Sequence, residues 1–356
     1  MHNDEFYMAR AINLAKKADP SPNPRVGAVI AKGGKIIAEG FHKKAGMPHA
    51  EIEAFRQLKA GAARNSTLYV TLEPCSHWGR TPPCTDEIIR QGVSRVVFAA
   101  SDPTKKVEGA EKLKKAGITV VAGFLSGKSE KLNTAFHAFQ SKKLPSVSLK
   151  SAISLDGKIA ANSGDSKWIS SQESRVFAHM LRARNEAIIV GVGTILQDDP
   201  TLTVRLSKGP NPAKVVLDSH LRIPLGANVL KGGKVFIAAL VGANSAKAKK
   251  LGKKGATILW FKGTKIDARE LLARLAALDI TSVLVEGGGE VNASFVQTRL
   301  VDVFYFFICP KIIGGRDAKS PVEGDGIEKM QSALGLSFEK VQKIGPDILI
   351  IAKPAK

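Results

Sequence analysis

The sequence predicts two α/β domains in succession, and three observations carry that prediction. The chain has 356 residues, 44% of them apolar, which is enough for two buried cores. Helix and strand signals alternate along it, and the alternation begins afresh after Ser141-Lys-Lys-Leu-Pro145. No apolar stretch reaches membrane-spanning length. The expected domains are residues 1–144 and 145–356.

The elements follow in order. A helix is expected near Glu5–Ala18, with Phe6, Ala9, Ile12 and Leu14 along one side. It lacks the continuous apolar run of a signal peptide, so a cytoplasmic protein is the simplest reading. A Pro-rich turn, Pro20-Ser-Pro-Asn-Pro24, leads to strands Val26–Ala31 and Lys35–Gly40, joined by the hairpin signal Gly33-Gly34. Next come helix His49–Ala60, strand Thr67–Leu72, helix Thr85–Gln91 and strand Arg95–Ala100. Helix Glu108–Ala116 stops at Gly117, a C-cap residue, before strand Thr119–Ala122. In the second half, strands fit Ser146–Ile153, Ala187–Val190, Lys214–Leu217, Val235–Ala239, Thr257–Trp260 and Ser282–Val285.

The formal charge is +21, from 53 Lys and Arg against 32 Asp and Glu. Such an excess suits either a nucleic-acid binder or an enzyme whose ligands carry phosphate. Much of it is Lys on exposed helix faces, such as Lys247, Lys249, Lys250, Lys253 and Lys254, with no aromatic residues between them to stack on bases. The expectation is therefore a phosphorylated small ligand, with no nucleic acid and no membrane as partner. The three cysteines are too few and too odd in number for a disulfide framework. Cys309, in a Phe-rich run, reads as a small core residue.

The strongest local signal is His49-Ala50-Glu51, followed by Pro74-Cys75 and then Cys84. One imidazole and two thiolates suit zinc. Three protein ligands leave a fourth position for water, the arrangement of a catalytic site rather than a closed structural one. Glu51 is placed to accept the proton of that water and to deliver protons to a ring nitrogen and a leaving amine. This is a form of the zinc deaminase pattern H-x-E…P-C-x-x-C, with eight residues instead of two between the cysteines. Taken alone, the wider gap also allows a structural zinc loop or no metal at all. Inside it, His77 and Arg80 are either ordinary surface groups or contacts to an anionic or heterocyclic ligand. Asn23, held between two prolines, is a rigid amide able to read a ring edge. His42, after Gly40, is placed to face the same pocket.

These residues resemble one family closely. Pro-Asn-Pro-x-Val-Gly at 22–27, Pro-His-Ala-Glu at 48–51 and Thr-Leu-Glu-Pro-Cys-Ser-His-x-Gly-Arg-Thr-Pro-Pro-Cys at 71–84 are similar to the bifunctional deaminase–reductases of riboflavin biosynthesis. The eight-residue gap is that family's form of the motif. The resemblance continues through Lys150-Ser-Ala-Ile-Ser-Leu-Asp-Gly-Lys158, Ser166-Lys-Trp-Ile169, Leu181-Arg-Ala183, Gly191-Val-Gly-Thr194, Asp198-Asp-Pro-x-Leu-Thr-Val-Arg205, Leu217-Asp-Ser219 and Val285-Glu-Gly-Gly-Gly289. It implies an N-terminal cytidine-deaminase-like three-layer domain and a C-terminal dihydrofolate-reductase-like α/β domain. It further implies one zinc ion, NADPH and a homo-oligomer. The implied reactions are hydrolytic deamination of a phosphoribosylamino-pyrimidinone and reduction of its ribosyl group to ribityl.

By the same resemblance, Ala152, Trp168, Thr194, Asp198, Ser219 and the turn Gly288, Gly289, Glu290, Val291, Asn292, Ala293 and Ser294 would lie against the cofactor. Lys150, Ser166, Arg182, Leu202, Arg205 and Glu286 would contact the sugar-phosphate substrate, the arginine forks suiting phosphate. The residues themselves say less: Gly287-Gly-Gly289 before a helix admits a phosphate or is an ordinary turn, and no Rossmann fingerprint is present. One departure from the family pattern stands out. The stretch between Asp102-Pro103 and Ala116-Gly117 is shorter and lacks a second glycine after Gly109.

Two other functions compete. A nucleic-acid base deaminase would use the basic charge but leave the second half without a role, and its binding would fall steeply with salt. A non-catalytic zinc-stabilised protein would unfold on chelation and turn nothing over.

Overall fold

The computed structural model describes residues 3–18, 20–78, 82–104 and 107–355. Two compact units divide the chain, Met1–Lys143 and Leu144–Lys356.

Unit 1 runs α1 (Asp4–Ala15), β1 (Gly27–Lys32), β2 (Lys35–Phe41), α2 (Ala50–Phe55), β3 (Thr67–Leu72), α3 (Cys84–Arg90), β4 (Arg95–Ala100), α4 (Gly109–Lys115), β5 (Thr119–Val121), α5 (Ser126–Leu132) and α6 (Thr134–Lys142). Asn3 caps α1 through its side chain, and Gly33 and Gly34 turn the β1–β2 hairpin at positive φ. The sheet order is β2-β1-β3-β4-β5, with β1 antiparallel to its neighbours and β3, β4 and β5 parallel. Strand alternation splits the core in two. Ala28, Ile30, Val70 and Phe98 face Ala54, Ile88 and Leu113 of α2, α3 and α4. Val29, Tyr69 and Val97 face Met8 and Ala11 of α1. Helices thus cover both faces, which makes three layers.

The expected strands Thr67–Leu72 and Arg95–Ala100 form over those residues. The expected helix to Ala60 stops at Phe55, because Gln57–Arg64 winds into successive tight turns instead. Helices α5 and α6 were not anticipated.

Unit 2 runs β6 (Ser146–Ser154), α7 (Gln172–Arg184), β7 (Ala187–Gly191), α8 (Val192–Asp198), β8 (Ala213–Leu217), β9 (Val235–Leu240), α9 (Ser245–Lys253), β10 (Ala256–Phe261), α10 (Ala268–Ala276), β11 (Ser282–Val285), α11 (Gly289–Gln297), β12 (Val303–Cys309), β13 (Leu336–Ile344) and β14 (Asp347–Pro354). The sheet order is β10-β9-β8-β7-β11-β6-β12-β14-β13. It is parallel from β10 to β12, and β14 and β13 pair antiparallel at one edge. One face packs Leu149, Ile189 and Val285 on Leu271, Leu275 and Phe295 of α10 and α11. The other packs Ile188, Val190 and Ile237 on Ile195 and Leu251 of α8 and α9. The parallel strands are buried on both faces and therefore read as continuous apolar runs. Cys309 is fully buried in β12, as expected of a core thiol.

Candidate functional sites: a metal centre and a ligand cleft

In unit 1, three chain segments meet at one point. His49 is the N-cap of α2, Cys84 opens α3, and Cys75 follows β3. Their ligand atoms all lie within 4.8 Å of one another. His49 Nδ1 is 3.2 Å from Cys84 Sγ and 3.6 Å from Cys75 Sγ, and the Cys84 N–H donates to Cys75 Sγ at 3.3 Å. The contact with Cys84 holds Cys75 below its ordinary range, while the same contact and burial push Cys84 up. One imidazole nitrogen and two sulfurs at this spacing fit zinc, a cation that replaces thiol protons outright.

Glu51, in the first turn of α2, is 3% exposed beside this group. Burial pushes its carboxyl up, and its neighbours are His49, Cys75 and Cys84. His42 lies edge-on to His49, ring centroids 5.3 Å apart. Its two nitrogens have different partners. Nδ1 lies 3.0 Å from Pro48 O, and Nε2 lies 2.9 Å from Asn23 Nδ2. A carbonyl can only accept, so the proton is assigned to Nδ1 and Nε2 accepts from the amide. That orientation leaves Asn23 Oδ1 as the outward acceptor.

Asn23 and His42 are therefore brought to the metal group. His77 is exposed on its loop, and Arg80 lies outside the described residues. The shortened stretch after Asp102 has a structural answer in Gly109. A Cβ there would stand 1.9 Å from Pro74 O, so only glycine lets α4 seat on the Cys75 loop. Glu108 N donates to Ser76 Oγ at 2.9 Å and Ala110 N to Glu73 Oε1 at 3.0 Å, which completes that seat.

A residue without a sequence signal holds the Asn23 segment. Buried Asn133 accepts from Arg25 N at 2.8 Å and donates to Arg25 O at 3.0 Å. It lies 108 positions away in sequence, so no local pattern points to it.

In unit 2, the anticipated cofactor residues gather at the carboxyl ends of parallel strands, where open α/β sheets bind ligands. Ala152 is near the end of β6, Thr194 and Asp198 lie on α8 after β7, Ser219 follows β8, and Gly288 caps α11 after β11. The glycine N-caps of α8 and α11, Gly191 and Gly288, bring no side-chain cap. A Cβ on Gly288 would meet nothing within 4 Å. The glycine-opened first turns suit a dinucleotide phosphate, and the Glu323 carboxylate packs against Gly289, 2.6 Å from where a Cβ there would stand.

Within Gly288–Ser294 the roles divide. Asn292 is fully buried, its N–H bonded to Gly288 O and its amide to Pro321 O at 2.8 Å. Ala293 is buried, and Ser294 Oγ returns to Val291 O at 2.7 Å. Free donors therefore belong to Gly289, Glu290 and Val291. Ser166 Oγ approaches Asp198 at 3.3 Å. Trp168 is exposed, with the Arg175 guanidinium 4.4 Å from its ring centroid.

The anticipated substrate residues form a second group. Arg182 grips Glu286 with Nε at 3.0 Å and Nη2 at 2.8 Å, and its Nη1 donates to Thr203 O at 3.4 Å. Its fork is therefore already engaged, contrary to a simple phosphate role. Burial would raise Glu286, but Arg182 and Lys150 hold it at about 2. Burial lowers Lys150, with Glu286 opposing, and its ammonium lies 5.8 Å from the Phe307 ring centroid. Leu202 is buried at φ +56. Arg205 is exposed and bonded to Thr201 Oγ1. His179, which carried no sequence signal, is buried among these groups.

The two units thus define a two-part enzyme, a zinc-dependent deaminase joined to an NADPH-dependent reductase. A family profile described as the cytidine and deoxycytidylate deaminase zinc-binding region matches residues 1–100, and one described as the RibD C-terminal domain matches residues 145–350. The chain is 43% identical over 357 residues to the riboflavin biosynthesis protein RibD of Aquifex aeolicus, covering 98% of each chain. It resembles the solved RibD of Acinetobacter baumannii with a TM-score of 0.88 at 35% identity, and 99% of each chain is covered. It also resembles a diaminohydroxyphosphoribosylaminopyrimidine deaminase/5-amino-6-(5-phosphoribosylamino)uracil reductase of Thermotoga maritima, with a TM-score of 0.84 at 36% identity and 99% of each chain covered. The chain belongs to the RibD family, the bifunctional deaminase–reductases of riboflavin biosynthesis.

Proposed function

We propose that this chain hydrolyses the 2-amino group of 2,5-diamino-6-(5-phosphoribosylamino)pyrimidin-4-one to a carbonyl with release of ammonia. It then reduces the ribosyl group to ribityl, giving 5-amino-6-(5-phosphoribitylamino)uracil. The observation that carries this reading is buried Glu51 beside His49, Cys75 and Cys84, in a chain whose second unit sets uncapped glycine helix starts after β7 and β11.

His49, Cys75 and Cys84 would hold zinc, whose chemistry is to supply a water nucleophilic at neutral pH. Glu51 would take one proton from the attacking water and pass it to the ring nitrogen, then take the second from the new hydroxyl and pass it to the departing amine as the carbonyl forms. Asn23, oriented by His42, reads the pyrimidine edge with Oδ1. His77 and Arg80 extend that contact toward the rest of the substrate. In unit 2, Ala152, Trp168, Thr194, Asp198, Ser219 and the Gly288–Ser294 turn would hold NADPH, which supplies hydride to the first ribosyl carbon. Lys150 and Glu286 hold the sugar hydroxyls, Ser166 and Leu202 border it, and Arg205 meets the phosphate, with Arg182 behind it holding Glu286 in place.

The deaminase domain takes residues 1–144 and the reductase domain 145–356. A homo-oligomer belongs to the reading, because Leu336, Phe338, Val341 and Ile348 are exposed on the β13–β14 edge. So does a cytoplasmic setting, which keeps the three free thiols reduced. No nucleic-acid partner is included. Among the described residues, no helix is long and apolar enough to cross a membrane.

The test supplies the diaminopyrimidine with and without NADPH and follows ammonia release and NADPH oxidation separately. Ammonia should appear in both cases, and NADPH should be consumed only after deamination. Absence of ammonia from a zinc-loaded enzyme overturns the reading.

A further inference from the structure

His179 stands on α7 one turn before Arg182, so the two side chains share a helix face. It is 6% exposed, and its Nδ1 accepts from the Arg205 N–H at 3.0 Å. A ring nitrogen that accepts from a peptide N–H carries no proton, so the imidazole proton is on Nε2. Burial, with Arg182 and Arg205 alongside, pushes His179 down to about 4, which keeps it neutral in ordinary buffers.

Together these contacts grip one short segment. Arg182 Nη1 bonds the Thr203 carbonyl, and His179 bonds the Arg205 amide. Val204 N–H is taken by Asn211 Oδ1 at 2.7 Å. Three consecutive residues are therefore fixed by their backbone while the Arg205 side chain stays exposed. Arg182 has spent its fork on Glu286, so the guanidinium left for an anion is that of Arg205. A long cationic side chain loses rotamer freedom on binding, and a fixed backbone removes part of that cost beforehand.

We propose that His179 is a positioning residue for the reductase substrate. Its Nδ1 fixes the backbone of Arg205 so that the guanidinium stands where the substrate phosphate arrives. The proposal deepens the functional reading above and rests on Arg205 taking that phosphate.

The test uses the full chain, NADPH, and 5-amino-6-(5-phosphoribosylamino)uracil beside its dephosphorylated counterpart. In His179→Ala the KM for the phosphorylated substrate should rise about tenfold, the order expected for one lost hydrogen bond, with kcat nearly unchanged. The KM for the dephosphorylated compound should not move, and ammonia release by unit 1 should match the parent. His179→Asn, which keeps an acceptor at the Nδ1 position, should restore the parent KM. If His179→Ala keeps the parent KM while Arg205→Ala raises it, the proposal falls and the phosphate reading stands. If neither variant alters discrimination between the two compounds, the phosphate reading itself falls. Should His179→Ala not fold, a folded His179→Asn with a raised KM likewise overturns the proposal.

Discussion

In unit 1, His49, Cys75 and Cys84 bring their ligand atoms within 4.8 Å of one another, a donor set able to hold a cation. In unit 2, two cations, Arg182 and Lys150, surround one carboxylate, Glu286, and the Arg182 fork is closed on it before any ligand arrives. The difference concerns what each site asks of its ligands. Unit 1 collects donors and a carboxyl for a metal beside an apolar core, which Cys84 helps to fill and Cys75 packs against. Unit 2 has built its charges into the fold, so those charges serve stability as well as binding. Substitutions in the first site should cost chemistry with the fold kept. Substitutions in the second should cost stability first.

The largest expected effect is on Glu51. Glu51→Gln should lower the deamination rate roughly 10²–10⁴-fold, the range for a lost general acid–base, with zinc content and thermal unfolding unchanged. Metal analysis beside an ammonia assay checks this, and a variant that loses zinc or unfolds would break the contrast. Next is Glu286→Ala, which leaves Arg182 and Lys150 buried without their counter-charge. Unit 2 should lose about 3–5 kcal/mol in denaturant unfolding followed at Trp168 and Trp260. A change confined to KM would show that the charges serve binding alone. Gly109→Ala sharpens the unit 1 side. Its Cβ must displace the Pro74 carbonyl, so a loss of about 1–3 kcal/mol is expected, with faster zinc release to a chelator.

The most gradual effect is the pH dependence of unit 2 stability. His179 is held at about 4 against 6.5, so between those values the unfolded chain binds the extra proton. Stability is full above about 6.5 and falls on acidification, by at most about 1.4 kcal/mol per pH unit. Glu286, held at about 2 against 4.5, is depressed too, and its contribution is lost as pH falls through that lower window. Urea titrations across pH should show both stages, and His179→Asn should flatten the upper one.

Legibility in the sequence followed sequence distance. Strands Thr67–Leu72 and Arg95–Ala100 were readable because each is a short apolar run closed by turn residues. Strand β13 was not, because all but two of its residues are exposed and it shows no buried–exposed alternation. Helices α5 and α6 were also missed. Leu125 starts α5 in a left-handed conformation with no side-chain cap, so the usual N-terminal signal is absent. The metal ligands stood out through local motifs around His49 and Cys75–Cys84. Asn133 and His179 carry no motif, because each acts on the backbone of a residue far along the chain.

The sequence by itself determined the donor set, the carboxyl beside it and the family, because each of those residues sits in a short local motif, His49 with Glu51 and Cys75 with Cys84. The tertiary structure alone decided which groups are already spent. It gave the Arg182 fork to Glu286, turned the Asn292 amide to Pro321 and left Arg205 exposed. A side chain's availability depends on partners that the fold brings from elsewhere, and residue type and spacing carry no record of that competition.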